Sequence, residues 1–206
     1  ALTLQSQVPT PAEFLGYELG DRFTRHHNVV DYAKSLAAGS DRAVWEPYGR
    51  TSEFRELGVL VVTSEANQAR LEALRMANMA RAEGRGLPAD DPGVAFVWLS
   101  YNVHGNEAVC TEAALRSMHA LVTGKDAGEG DVSDWLEKTV VIMDPCVNPD
   151  GRDRYVAFQD QTSGLKPNVD PGTVEHDEPW PGGRSNHYMF DMNRDWAWQT
   201  QVETQG

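Results

Sequence analysis

The chain has 206 residues, 40% hydrophobic and 24% charged: enough apolar content for a packed core, and too much for a disordered segment. Its formal net charge of −13 argues against nucleic acid or an anionic membrane as a main partner, because phosphate binding needs clustered Lys and Arg. No apolar run approaches the length of a membrane span.

In chain order, Ala1-Leu2-Thr3-Leu4-Gln5 lacks the basic and apolar regions of a secretion signal, so it reads as a mature end or a cut boundary. The Pro-containing stretch to about Gly20 has few periodic apolar positions and is expected to wrap the surface. Val29, Val30, Ala33, Leu36 and Ala37 recur at helical spacing, and Gly39 ends the helix. Ala43 to Tyr48 and Leu57 to Thr63 read as strands joined by Gly49-Arg50-Thr51-Ser52. Ser64 offers an N-cap to a single helix running to about Ala82, before Gly84, Gly86 and Pro88.

Val94 to Leu99, bounded by Pro92-Gly93, predicts a strand buried on both faces. A helix follows from about Glu107 to Val122, with Cys110, Ala114, Met118 and Leu121 on one face and Gly124 at its close. Val140 to Met143 is the next strand, and Asn148-Pro149-Asp150-Gly151 reads as a turn. From Gln159 to about Met189 the chain is long, polar and irregular, which at that length points to function. Alternating strands and helices predict an α/β fold, a mixed, largely parallel twisted sheet with helices on both faces.

The chemistry concentrates in two places. His104 and Glu107, in Ser100-Tyr101-Asn102-Val103-His104-Gly105-Asn106-Glu107, lie where a strand gives way to a helix, and imidazole with carboxylate suits Zn²⁺. The competing reading is a polar loop whose His caps the helix. Asn193-Arg194, in Phe190-Asp191-Met192-Asn193-Arg194-Asp195-Trp196, combines a planar guanidinium fork with an amide, a pair suited to a carboxylate. The competing reading there is a surface ion pair between Arg194 and a nearby Asp. Cys110 and Cys146, the two cysteines, form no Cys-x-x-Cys pair; buried thiols and a disulfide both stay open.

Taken in order, His-Gly-Asn-Glu after one strand, Asn-Pro-Asp-Gly after the next, and Asp-Met-Asn-Arg-Asp-Trp resemble the zinc metallocarboxypeptidase family, the group of carboxypeptidase A. The match is clearest from about Gly93 to Trp198, with Tyr48 to Leu57 a weaker likeness to the family's edge hairpin. The resemblance implies a Zn²⁺ cofactor held by His104 and Glu107, and a peptide or other free-carboxylate substrate gripped by Asn193 and Arg194. It implies an arginine that stabilises the oxyanion: Arg184 by its place before the Asn-Arg pair, with Arg152 and Arg154 as competitors. It also implies a secreted or periplasmic hydrolase. Residues 1–206 would form the amino-terminal part of one catalytic domain, incomplete on its C-terminal side. The third zinc ligand and the general base would fall beyond Gly206, so this chain alone is expected to be a poor or inactive peptidase.

Among the other histidines, His119 is expected on a surface-like position, His26 and His27 in solvent, and His176 and His187 in the long loop, within reach of the site but outside the family pattern. Two alternatives share the fold: a non-catalytic binding module, and a zinc amidase or deacylase acting on N-acyl amino acids or cell-wall peptides.

Overall fold

The computed structural model describes residues 8–86, 93–124 and 132–206; Ala1 to Gln5, Pro88 and Pro92 lie outside them. The stretch expected only to wrap the surface holds a short helix, α1 (Pro11–Leu15). Thr10 and Glu13 cap it reciprocally: the Glu13 amide donates to the Thr10 hydroxyl, and the Thr10 amide donates to the Glu13 carboxylate. Next come α2 (His26–Ala38) and the antiparallel hairpin of β1 (Ala43–Arg50) and β2 (Glu56–Val62).

The helix expected from Ser64 to Ala82 is divided into α3 (Glu65–Gln68) and α4 (Leu71–Ala82). Ser64 caps α3 as expected, accepting from the Asn67 amide. The buried Asn67 side chain donates to the carbonyls of Leu136 and Glu137, both at 3.0 Å, which anchors this first turn to a different part of the chain. Arg70 then leaves helical geometry at φ −126°, ψ 22°.

β3 (Ala95–Ser100), α5 (Val109–Thr123), α6 (Ser133–Leu136) and β4 (Thr139–Asp144) complete the sheet, in the order β1-β2-β4-β3. The sheet is mixed, with β3 and β4 parallel and the other two pairings antiparallel, so the parallel share is smaller than expected. The expectation that β3 is buried on both faces does not hold. Trp98 is 51% exposed, because β3 is an edge strand and among the described residues only β4 pairs with it.

The core explains the layering. Along β2, Leu60 and Val62 face a cluster with Val29, Tyr32, Leu36, Leu115, Met118 and Met143, while Val59 and Val61 face Leu74, Val94 and Val140. Alternation along one strand thus puts α2 and α5 on one face and α4 on the other. On α5 the expected Ala114 and Met118 are buried; Cys110 and Leu121 are only half-buried, with Leu115 and Val122 taking the core side.

Asn-Pro-Asp-Gly is no mere turn. Asn148 caps α7 (Pro149–Thr162) by accepting from the Gly151 amide, and Pro149 opens the helix, where its missing N–H costs no bond. The following segment is irregular, as expected, apart from short 3₁₀ turns at Val174–His176 and Met192–Arg194; α8 (Val202–Gln205) ends the chain. Among the described residues no helix is long and apolar enough to cross a membrane.

Candidate metal and substrate site

β3 and β4 run on in parallel past their ends: Tyr101 donates from its amide to the Asp144 carbonyl, Val147 to the Tyr101 carbonyl and Asn148 to the Asn102 carbonyl. The loop that follows β3 folds around Asn102, whose φ of 54° lies in the left-handed region that Asn tolerates. Its buried amide donates to the carbonyls of His104 (2.7 Å), Gly105 (3.3 Å) and Glu107 (3.1 Å). Its Oδ1 accepts from Arg152 and Thr111. One side chain therefore sets the path of the backbone that carries His104 and Glu107.

Three backbones meet beside that loop, and each crosses at a glycine. A Cβ on Gly105 would stand 2.2 Å from the Arg152 nitrogen and the Gly151 carbonyl carbon; one on Gly151 would stand 2.3 Å from the Gly183 carbonyl oxygen. A Cβ on Gly183 would fall 2.6 Å from Tyr155 Cβ. The absence of side chains lets the His-Gly-Asn-Glu, Asn-Pro-Asp-Gly and Pro-Gly-Gly-Arg segments lie in contact. Arg154 holds the last of these, donating to the carbonyls of Gly182 (2.6 Å), Ser185 and Asn186.

At this junction His104 Nδ1 lies 3.1 Å from Glu107 Oε1, and Nε2 lies 2.9 Å from Asp191 Oδ1. The His104 side chain is 9% exposed and that of Glu107 52%, so the pair opens to solvent on the Glu107 side. Both ring nitrogens face carboxylates, which only accept; in the tautomer whose Nε2–H donates to Asp191, the Nδ1 lone pair faces the Glu107 oxygen. Two acceptors at that separation repel unless a proton or a cation lies between them. Zinc with N and O ligands at about 2.0–2.2 Å needs two donors about 3.3 Å apart in a tetrahedral shell, which the pair nearly meets.

Arg184 reaches the same place. Its Nη2 donates to Asp191 Oδ2 at 3.0 Å, and its Nη1 lies 3.5 Å from His104 Nδ1, with half of its side chain exposed. Partial burial pushes the Asp191 carboxyl up, but hydrogen bonds from His104, Arg184 and the Asn193 amide outweigh it and hold the pKa below the usual value.

The Asn193 amide donates to Asp191 Oδ1 at 3.0 Å, the same oxygen that holds His104, so the two motifs meet at one atom. The Asn193 and Arg194 side chains are exposed; Arg194 donates to the Asn193 carbonyl and Asn193 Oδ1 accepts from Trp196, rather than either bonding His104 or Glu107. Among the described residues no carboxylate lies within ion-pair distance of Arg194, because its neighbours are engaged elsewhere. Asp195 is buried: desolvation pushes its carboxyl up, and bonds from Thr200, Thr204 and Gln201 more than offset this, bringing it down to about 2.

Arg152 and Arg154, the competitors for the oxyanion role, are both committed elsewhere. Arg152 is 0% exposed and donates to the Thr24 and Ala108 carbonyls, to Asn102 Oδ1 and to Glu112 Oε1 at 2.6 Å. His26, expected in solvent, is buried, with Nε2 bonded to the Glu56 carbonyl at 2.7 Å, because α2 packs its first turn against the hairpin; His27 is exposed. His119 is half-buried, and desolvation lowers its pKa. His176 bonds the Asn168 carbonyl and His187 bonds Glu53, so neither joins His104. Cys110 and Cys146 are free thiols, and burial pushes that of Cys146 up to about 12.

His104 and Glu107 fit two positions of a zinc shell, and among the described residues no third donor joins them. The one group of three candidate donors there is Glu53, Asp150 and His187. Its carboxylates already share a cation, since Arg55 Nη1 bonds Glu53 Oε2 and Asp150 Oδ1. A cavity of ≈ 400 Å³ that includes Glu53 in its lining, with His26, Lys34, Arg50 and Arg55, is lined by none of His104, Glu107, Arg184, Asn193 and Arg194. The sequence reading missed Asn102, the role of Asp191, and Glu178, which accepts from Asn106 Nδ2 at 2.9 Å. Only Asp191, inside the Asn-Arg motif, carried a local signal.

Solved structures share this fold. The carboxypeptidase A of Helicoverpa armigera superposes with a TM-score of 0.51 at 20% identity, covering 84% of this chain and 32% of that one. The metallo-carboxypeptidase of Burkholderia cenocepacia superposes with a TM-score of 0.51 at 16% identity, covering 87% and 35%. These likenesses establish the fold, and the chain spans about a third of the length of the solved structures it matches. The zinc carboxypeptidase profile (Peptidase_M14) matches residues 29–206, most of the sequence, and the chain therefore belongs to the zinc carboxypeptidase family.

Proposed function

We propose that the protein containing this chain is a zinc-dependent hydrolase that removes the C-terminal residue of peptides. The observation that carries the reading is the His104–Glu107 donor pair, with its outer nitrogen anchored by Asp191 and Arg184 beside it. When bound, zinc would act as a Lewis acid toward a carbonyl oxygen and toward water. Asp191 keeps the proton on Nε2 and so directs Nδ1 at the metal position. Arg184 supplies a fixed positive charge where an oxyanion develops. Asn193 and Arg194 grip the substrate's terminal carboxylate, which makes attack effectively unimolecular.

On this reading the third zinc ligand and the general base come from beyond these 206 residues. Two protein ligands hold zinc more weakly than three, so the 206 residues alone are a poor peptidase.

The test is hydrolysis by the full-length protein of N-blocked dipeptides with free or amidated C-termini. Cleavage of the free acid alone is the expected result; equal cleavage of the amide contradicts the carboxylate clamp.

A further inference from the structure

We propose that Glu178 is a positioning residue for Arg184, its carboxylate fastening the loop that bears the guanidinium to the loop that bears His104 and Glu107. The inference rests on the reading of the site given above and assigns a role to a residue outside its motifs. Glu178 is half-buried. Its Oε2 accepts from Asn106 Nδ2 at 2.9 Å, and its Oε1 accepts from the Gly183 amide. Asn106 stands between the two donor residues in sequence, and Gly183 immediately precedes Arg184. A carboxylate, which only accepts, suits a position facing two N–H donors from separate loops.

The neighbouring bonds show why one acceptor matters so much here. The carbonyl side of the arginine loop is held from α7, by Arg154 on Gly182 and by Asn148 on Arg184. Its amide side is held at Gly182 by the Pro179 carbonyl, at 2.7 Å, and at Gly183 by Glu178. Gly182, at φ 50°, turns the chain directly beneath the carboxyl, where an added Cβ would meet Glu178 Cδ at 3.3 Å. Without Glu178 the Gly183 amide loses its acceptor and the arginine loop loses its tie to Asn106, so the guanidinium's place beside His104 rests on Asp191 and the α7-side bonds alone. Glutamine retains one acceptor for Gly183, and its amide can pair with Asn106 after that side chain flips; alanine retains neither bond.

The experiment combines amide hydrogen exchange at Gly183 with steady-state kinetics of the full-length protein, for wild type, Glu178→Ala and Glu178→Gln. In Glu178→Ala, exchange at Gly183 should rise about tenfold or more while the core strands keep their protection. Its kcat should fall about tenfold to a hundredfold with zinc content retained, and KM should stay within about twofold. Glu178→Gln should recover most of both. A Gly183 amide as protected in Glu178→Ala as in wild type overturns the proposal, as does an equal kcat loss in both variants accompanied by loss of zinc. A wild-type protein with neither zinc nor hydrolysis would overturn the reading of the site instead, and the exchange measurement would still decide whether Glu178 holds the loop.

Discussion

His104 and Asp191, 87 positions apart in the chain, are joined through Nε2 and Oδ1 at 2.9 Å, a bond that favours the tautomer whose Nδ1 lone pair faces Glu107. Replacing Asp191 with Asn removes the obligate acceptor and frees the ring to adopt the other tautomer. Asp191→Asn should weaken zinc binding about 10–100-fold, read by competition with a chromogenic chelator. Unchanged affinity would remove Asp191 from the site.

The three-glycine crossing predicts a steep steric penalty. In Gly105→Ala the new methyl would stand 2.2 Å from two backbone atoms, which have no flexible end to move aside. The variant should lose about 3 kcal/mol or more in urea unfolding, or fail to fold. Gly86→Ala, with open space around the added carbon, should fall within about 0.5 kcal/mol of wild type.

The buried pair of Arg152 and Glu112 makes a separate prediction. Arg152→Ala leaves Glu112 charged and buried, although Thr24 still donates to it from its amide and hydroxyl. The loss should be about 3–5 kcal/mol, measured by denaturant unfolding near neutral pH.

Asp144 should make stability depend on pH. Burial pushes its carboxyl from the ordinary 3.8 up to about 6, against the lowering effect of bonds from Tyr48 and the Cys146 amide. A raised pKa means the folded state holds the proton more tightly. The resulting stabilisation is full below about pH 4 and is lost as pH rises through about 6, a change of about 2–3 kcal/mol. Unfolding free energies at pH 4 and pH 7 should show this decline relative to Asp144→Asn, which does not ionise. An identical pH profile for both would contradict it.

Local pattern made part of this structure legible. The apolar run Val59 to Val62 announced a strand, and the His104–Glu107 spacing announced a donor pair, because both depend on residues adjacent in sequence. The exposed edge of β3 was not legible: apolarity records what a strand could bury, while a strand's neighbours are set by topology. The start of α7 was misread because Asn148 and Pro149 serve a turn and a helix cap equally well. Asp191 stood inside a recognised motif, yet its role depends on an imidazole brought to it by the glycine crossing, which no local pattern records. His26 looked solvated because nothing in its own helix shows that the hairpin covers it.

The most direct test of the account is the zinc content of the purified full-length protein by elemental analysis, compared with His104→Ala and with Glu53→Ala. One zinc per chain should be present in wild type and in Glu53→Ala, and largely lost in His104→Ala. Zinc retained in His104→Ala, or lost in Glu53→Ala, would place the metal elsewhere and contradict the assignment.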